Sequence, residues 1–229
     1  MHNPVPTSQD GKSRELTPDE LLYIIASKRG FNSDKLTSSM KDYMSAVAYH
    51  ESKNDSTAIQ LSGNKATGFY NSFGTGKYQY ERNSFKSKNT VTGKIVEQTR
   101  KGDHGGVTGA KSARNFLKKL AYSPAWLDEF IEKGDGNFSV LNEKQQDIIF
   151  IAEKANSAGK NSTSLEEIID AQGLDNTAKK EEYGRIWGKG HKKKDNYKLD
   201  LIDGKLREKS EETSLLNQWN KEDNPFNIA

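Results

Sequence analysis

The apolar residues of this chain recur at helical spacing in separate blocks, and two stretches between the blocks lack that rhythm. Leu21, Leu22, Ile24 and Ile25 make one stripe, and Tyr43, Met44, Val47 and Ala48 a second. Phe116, Leu117 and Leu120 follow, then Trp126, Leu127, Phe130 and Ile131, then Ile148, Ile149, Ile151 and Ala152. Residues three and four apart share one face of a helix. Such a chain must bury several amphipathic helices against one another, which predicts a mainly α fold. Residues 54–76 and 87–109 are instead rich in Asn, Ser, Thr and Gly. The first of these predicts a loop or a short irregular β-hairpin, with turns at Ser62-Gly63-Asn64 and Phe73-Gly74-Thr75-Gly76. The expected class is therefore mainly α (α+β).

Local signals set the expected helix ends. Thr17-Pro18-Asp19-Glu20 reads as an N-cap, a first-turn proline and a capping box. It predicts a helix from Pro18 to about Arg29, stopped by Gly30. A second helix is expected from Ser38 or Ser39 to about Lys53. Others are expected over Tyr78–Phe85, about 109–121, 124–133 and 142–157, and from Leu165 to Ala171. Residues 1–16 read as a flexible arm. From 176 to 229 Lys and Glu dominate and apolar residues thin out, which predicts a charged, partly helical tail, with Leu215, Leu216 and Trp219 as a docking stripe. The domain proper is thus expected over 17–175.

Composition removes several functions. The chain has 229 residues and no cysteine, so disulfides, thiolate zinc sites and cysteine nucleophiles are excluded. The four histidines, His2, His50, His104 and His191, show no metal-ligand spacing. Neither a metal nor a cofactor is expected. No apolar run approaches the ~18 residues that a membrane span needs, and the first residues lack a signal-peptide pattern. A net charge of +3 against 35 basic and 32 acidic residues is a weak argument for nucleic acid. Lys192-Lys193-Lys194 is read as a solvated face, with contact to an anionic wall polymer or DNA as the alternative. Gly74-Thr75-Gly76-Lys77 is followed by Tyr78 rather than Ser or Thr, so it is no phosphate loop.

The candidate chemistry begins at Glu51, which continues the apolar stripe of the second helix. A carboxyl at the mouth of an apolar helix is poorly solvated, and desolvation favours its neutral, proton-carrying form. Such an acid can protonate a leaving oxygen, as glycosidic cleavage requires. A half-exposed helix-end acid with no role is the plain alternative. What argues against it is the turn that follows, Lys77-Tyr78-Gln79-Tyr80. An amide and a phenol can recognise the acetamido and hydroxyl groups of amino sugars, and the faces of Tyr49, Phe69, Tyr70, Tyr78 and Tyr80 suit sugar rings. Core packing is the ordinary alternative for these aromatics. His50 is adjacent to Glu51, but neighbouring helical residues do not face each other.

Three stretches then carry a resemblance: Ala48-Tyr49-His50-Glu51-Ser52, Phe73-Gly74-Thr75-Gly76-Lys77-Tyr78-Gln79-Tyr80, and Glu143-Lys144-Gln145-Gln146-Asp147-Ile148-Ile149. In order and separation they resemble signature stretches of the phage lytic transglycosylases of the lambda endolysin type, within the lysozyme-like superfamily. That family has a helix ending in Tyr-x-Glu, a Gly-Arg-Tyr-Gln hairpin end and a later helix opened by Gln-Asp. The Glu-Ser pair is also similar to that of soluble lytic transglycosylases and goose-type lysozymes. The resemblance covers about residues 40–155 and is confined to motifs, and Lys77 stands where the family has arginine. It implies a lysozyme-like helical domain with a small β-hairpin beside the catalytic helix. It implies Glu51 as the catalytic acid, with Ser52, Tyr78, Gln79, Tyr80 and Gln146 as substrate-binding residues. Gln146 and Asp147 would also buttress the groove from behind.

The resemblance further implies a substrate, the β-1,4 MurNAc–GlcNAc bond of peptidoglycan glycan strands. A hydrolase uses two carboxylates, and Asp55, Glu81 and Asp103 are the nearby candidates, none placed by the sequence. A transglycosylase needs only one, because the C6 hydroxyl of the substrate attacks. The resemblance, with the Lys/Asn-rich composition, implies a phage origin, and the terminal segments suggest a virion component, in the tail or internal, that docks on other virion proteins and acts in the host periplasm or wall. A hydrolytic muramidase and a non-enzymatic virion protein on a lysozyme-like scaffold are the alternatives.

Overall fold

A computed structural model describes residues 15–59, 62–64, 69–71, 74–89, 92–99, 102, 105–156 and 165–190. The described residues form a mainly helical body with a small antiparallel sheet. Helix α1 spans Pro18–Arg29 and begins with the expected capping box. The Thr17 hydroxyl accepts from Glu20 N–H, the Glu20 side chain reaches back to Thr17, and Gly30 closes the helix at φ 74°. Helix α2 spans Ser33–Ser52 and is the central element. Its buried face comprises Leu36, Met40, Tyr43, Met44, Val47 and Ala48.

Strands β1 (Ser62–Asn64), β2 (Phe69–Asn71), β5 (Ser84–Asn89) and β6 (Ile95–Thr99) form one antiparallel sheet in the order β1-β2-β5-β6. Strands β3 (Gly74–Thr75) and β4 (Tyr80–Glu81) make a separate two-stranded ribbon. Both lie in the stretch between α2 and α3 (Gly105–Lys119). Helices α4 (Ala125–Lys133), α5 (Glu143–Asn156), α6 (Leu165–Ala171) and α7 (Asn176–Gly190) complete the body. Helix α5 is nearly apolar on its inner face, where Ile148, Ile149, Phe150, Ile151 and Ala152 are all buried. No helix of the described residues is long and apolar enough to cross a membrane.

Several segments depart from the sequence reading. Helix α2 starts at Ser33, earlier than expected, because Asn32 caps it by accepting from Lys35 N–H at 2.9 Å. Tyr78–Phe85 is not a helix, since it holds β4 and the start of β5. The polar stretch 87–109 supplies the rest of β5, then β6 and the opening of α3. Leu16, assigned to a flexible arm, is fully buried, and its N–H donates to the Tyr122 hydroxyl at 3.2 Å.

The largest correction concerns the boundary at 175. Residues 176–190 are a helix of the body, with Tyr183, Ile186 and Trp187 in the core. Asp175 starts it by accepting from Thr177 N–H and Ala178 N–H at 2.9 and 3.0 Å. The Tyr183 ring meets Tyr43 of α2 edge-on at 5.2 Å. Residues 1–14, Asp103, His104, Lys192–Lys194 and the stripe at Leu215, Leu216 and Trp219 lie outside the described residues.

Candidate functional site

Glu51 occupies the last turn of α2 and is half-buried. The helix ends in a left-handed signature: Lys53 at φ 57° and Asn54 at φ 66°. Asn54 N–H donates to Ala48 O at 3.1 Å and Lys53 N–H to Tyr49 O at 3.0 Å. This is a Schellman-type closure made without glycine. Two successive non-glycine residues there cost on the order of 1 kcal/mol or more each. The turn directs the chain sharply away from the Glu51 carboxyl toward Asp55.

The ribbon β3–β4 is fastened beside that helix end. Ser52 Oγ lies 3.0 Å from Ala48 O and 2.8 Å from Lys77 O. The tip between the strands turns at Gly76, φ 76°, and at Gln79, φ 51°. Gln146, fully buried on α5, fastens the tip from the other side. Its Oε1 accepts from Lys77 N–H at 2.7 Å. Its Nε2 donates to Ser56 O and to Leu141 O, both at 2.8 Å. One amide therefore ties together the loop after Glu51, the ribbon tip and the start of α5.

A part-buried polar cluster, open at Glu143, lies behind the tip. Lys77 Nζ donates to Glu143 Oε1 at 2.7 Å and to Asp147 Oδ1 at 3.1 Å. The Tyr78 hydroxyl donates to Asp147 Oδ1 at 2.6 Å. Burial pushes the Asp147 carboxyl above its ordinary range, and the Lys77 ammonium and Tyr78 hydroxyl only partly oppose this. Burial, and then the Asp147 charge, push the Tyr78 hydroxyl well above the usual range of a phenol. The Tyr78 ring stacks on Phe150 at 4.1 Å and the Tyr80 ring on Phe138 at 4.2 Å. The Tyr80 hydroxyl donates to Glu153 Oε2.

These contacts sort the expected substrate residues. Ser52, Tyr78 and Gln146 are buried, and their polar atoms are engaged within the protein. They position the turn and do not line a groove. Tyr80 packs its ring against Phe138 and engages its hydroxyl on Glu153, which makes it a support as well. Gln79 differs. It is 8% exposed, its Nε2 donates to Gly76 O at 2.8 Å, and its buried Oε1 has no partner among the described residues. An unmade bond on a buried carbonyl costs ~1–3 kcal/mol. Tyr49, half-buried one turn from Ser52, has Lys53 Nζ over its ring at 4.1 Å. The side chains of Phe69 and Tyr70 lie outside the described residues.

Of the candidate second carboxylates, Asp55 turns its Oδ1 to Thr57 N–H and Oγ1, at 2.8 and 2.7 Å. Glu81 stands exposed on β4.

One side chain at the candidate site escaped the sequence reading. Trp187 of α7 donates Nε1–H to Glu51 Oε1 at 2.8 Å. The signal for it was present: Asp175 as a cap, then Tyr183, Ile186 and Trp187 at helical spacing. The surrounding Lys and Glu obscured it.

Comparison with known proteins adds nothing to this geometry: no family model, no curated protein and no solved structure matches the chain.

Proposed function

We propose that this protein cleaves the glycan strands of peptidoglycan as a lytic transglycosylase of the lysozyme-like type, with Glu51 as its general acid and base. The reading rests on the motif resemblance together with one observation. The half-buried Glu51 carboxyl ends the central helix, and the Tyr78-Gln79 turn is stitched to the adjoining Ser52. An acid at the end of a packed helix, beside a small antiparallel sheet, is the arrangement that the resemblance implies for this chemistry.

In the proposed reaction Glu51 gives its proton to the oxygen bridging MurNAc and GlcNAc as the anomeric C–O bond breaks. The resulting carboxylate takes the proton of the MurNAc C6 hydroxyl as that oxygen bonds to the anomeric carbon. The products are a free GlcNAc 4-hydroxyl and a 1,6-anhydroMurNAc end, and Glu51 is reprotonated. No water is consumed. The terminal segments support assignment to a phage virion that opens the host wall.

The test is mass spectrometry of muropeptides released from purified peptidoglycan. Wild type should yield anhydro ends, one water lighter than hydrolytic ends. Glu51→Gln should lose at least ~100-fold in rate while keeping its thermal midpoint. Hydrolytic ends would transfer the reading to a muramidase using Asp55 or Glu81. An inactive wild type would leave a non-enzymatic virion protein.

A further inference from the structure

The proposed mechanism needs a carboxyl that is held in one orientation. Glu51 sits at the C-terminal end of α2, where the helix dipole presents negative charge and disfavours an anion. The contact that addresses this comes from α7, 136 positions along the chain. The donor is itself fixed. Trp187 is 6% exposed, and its ring lies 6.0 Å from Phe150 at 31°, with Lys154 Nζ at 5.0 Å from its centre. Helix α7 is pinned to α2 by the Tyr43–Tyr183 ring contact, by Tyr183 Oη donating to Ser39 O at 3.4 Å, and by Lys179 with Asp42 at 3.7 Å. Arg185 with Glu167 at 3.4 Å ties it to α6. The indole position is therefore set by packing, independently of the carboxyl that it meets.

An indole N–H can only donate. The oxygen that it faces must present a lone pair, so Oε1 takes the carbonyl role whenever Glu51 is neutral, and the transferable proton sits on Oε2. In the anionic form the same donor stabilises the charge that appears after proton transfer, without having to reorganise. We infer that Trp187 is a positioning residue for Glu51: its Nε1–H binds Oε1 and directs Oε2 toward the scissile bond. This rests on the reading of Glu51 as the catalytic acid.

Trp187→Phe removes the donor and keeps most of the ring. It should lower kcat ~10- to 100-fold, the scale of a misoriented catalytic group, with KM within about twofold of wild type. Ile186→Val on the same helix controls for packing, because it trims a fully buried side chain; it should lower the thermal midpoint and leave kcat unchanged. A second arm needs no change at Trp187. The indole N–H resonance that Trp187→Phe deletes should move in the spectrum of Glu51→Gln. A Trp187→Phe enzyme with wild-type kcat overturns the inference, as does a kcat loss that Ile186→Val reproduces, or a resonance that ignores Glu51→Gln. An inactive wild type defeats the reading of function and the catalytic role together. An active wild type matched by Trp187→Phe defeats only the role of Trp187.

Discussion

Gln146 shows how one side chain can carry a local fold. Its amide satisfies Lys77 N–H, Ser56 O and Leu141 O, three backbone groups from three segments, in a site with no exposure. Truncation would strand all three. Each buried group left unmade costs ~1–3 kcal/mol, so Gln146→Ala should lose on the order of 3 kcal/mol or more in urea unfolding. The decisive contrast is with binding. A residue that touched glycan would change KM in the molecules that remain folded. Gln146→Ala should leave that KM near wild type and lower only the folded fraction. Asp147 and Lys77 belong to the same support. The ammonium reaches Glu143 and Asp147 at once. It forms a bridge within the fold.

At the scale of elements, the ribbon tip depends on a residue without a side chain. Gly76 has φ 76°, and a Cβ there would stand 2.5 Å from Gln146 Oε1 and 2.7 Å from Phe138 Cβ. Gly134, at φ 65°, has nothing nearer than 3.9 Å. Ala at Gly134 should thus cost only the left-handed strain, ~1–2 kcal/mol. Ala at Gly76 adds two collisions and the loss of the Gln146 clamp, and should exceed ~3 kcal/mol; paired denaturation curves measure the difference. What the sequence revealed of these elements follows the range of the forces involved. Helix α1 was legible to its caps because Thr17, Pro18, Glu20 and Gly30 act within one or two turns. The ribbon and sheet were not, because Tyr80–Glu81 and Ile95–Thr99 find partners far along the chain, and nothing local in Ser84-Phe85-Lys86-Ser87 reports them. Glu51 could be singled out as a candidate acid, since it extends an apolar stripe. That Ser52, Tyr78 and Gln146 face inward could not be read, because an inward or outward amide has the same letter. Trp187 required knowing that α7 folds back across α2.

For the molecule as a whole, that return of α7 gives the core its character. Tyr43, Tyr78, Phe150, Tyr183 and Trp187 form a chain of ring contacts through α2, the ribbon tip, α5 and α7. The helical body and the candidate site therefore share one interior, and polar groups within it couple the fold to pH. The Tyr78 and Tyr80 hydroxyls are both held well above the ordinary phenol value, burial being the first cause for each and a carboxylate neighbour, Asp147 or Glu153, the second. In the unfolded chain both should ionise near pH ~10. Below that pH both states keep these protons, and the two groups make no pH-dependent contribution. Above it the unfolded chain releases protons that the folded chain retains, so stability falls as pH rises. The slope approaches about 1.4 kcal/mol per pH unit for each tyrosine, or about 3 for the pair. The urea midpoint of the wild type should therefore drop steeply above pH ~10, and the part of the phenolate absorbance that Tyr78→Phe or Tyr80→Phe deletes should rise in step with unfolding rather than before it, unlike that of exposed tyrosines such as Tyr23. Tyr78→Phe is expected to remove one tyrosine's share of the alkaline slope, about 1.4 kcal/mol per pH unit, while leaving the shares of Tyr80 and of Tyr183 and Tyr122, whose hydroxyls burial also raises. A phenolate signal that is present at full native helicity and that Tyr78→Phe deletes would mean that the Tyr78 hydroxyl reaches water in the folded protein, contrary to the packing of the ribbon tip against α5.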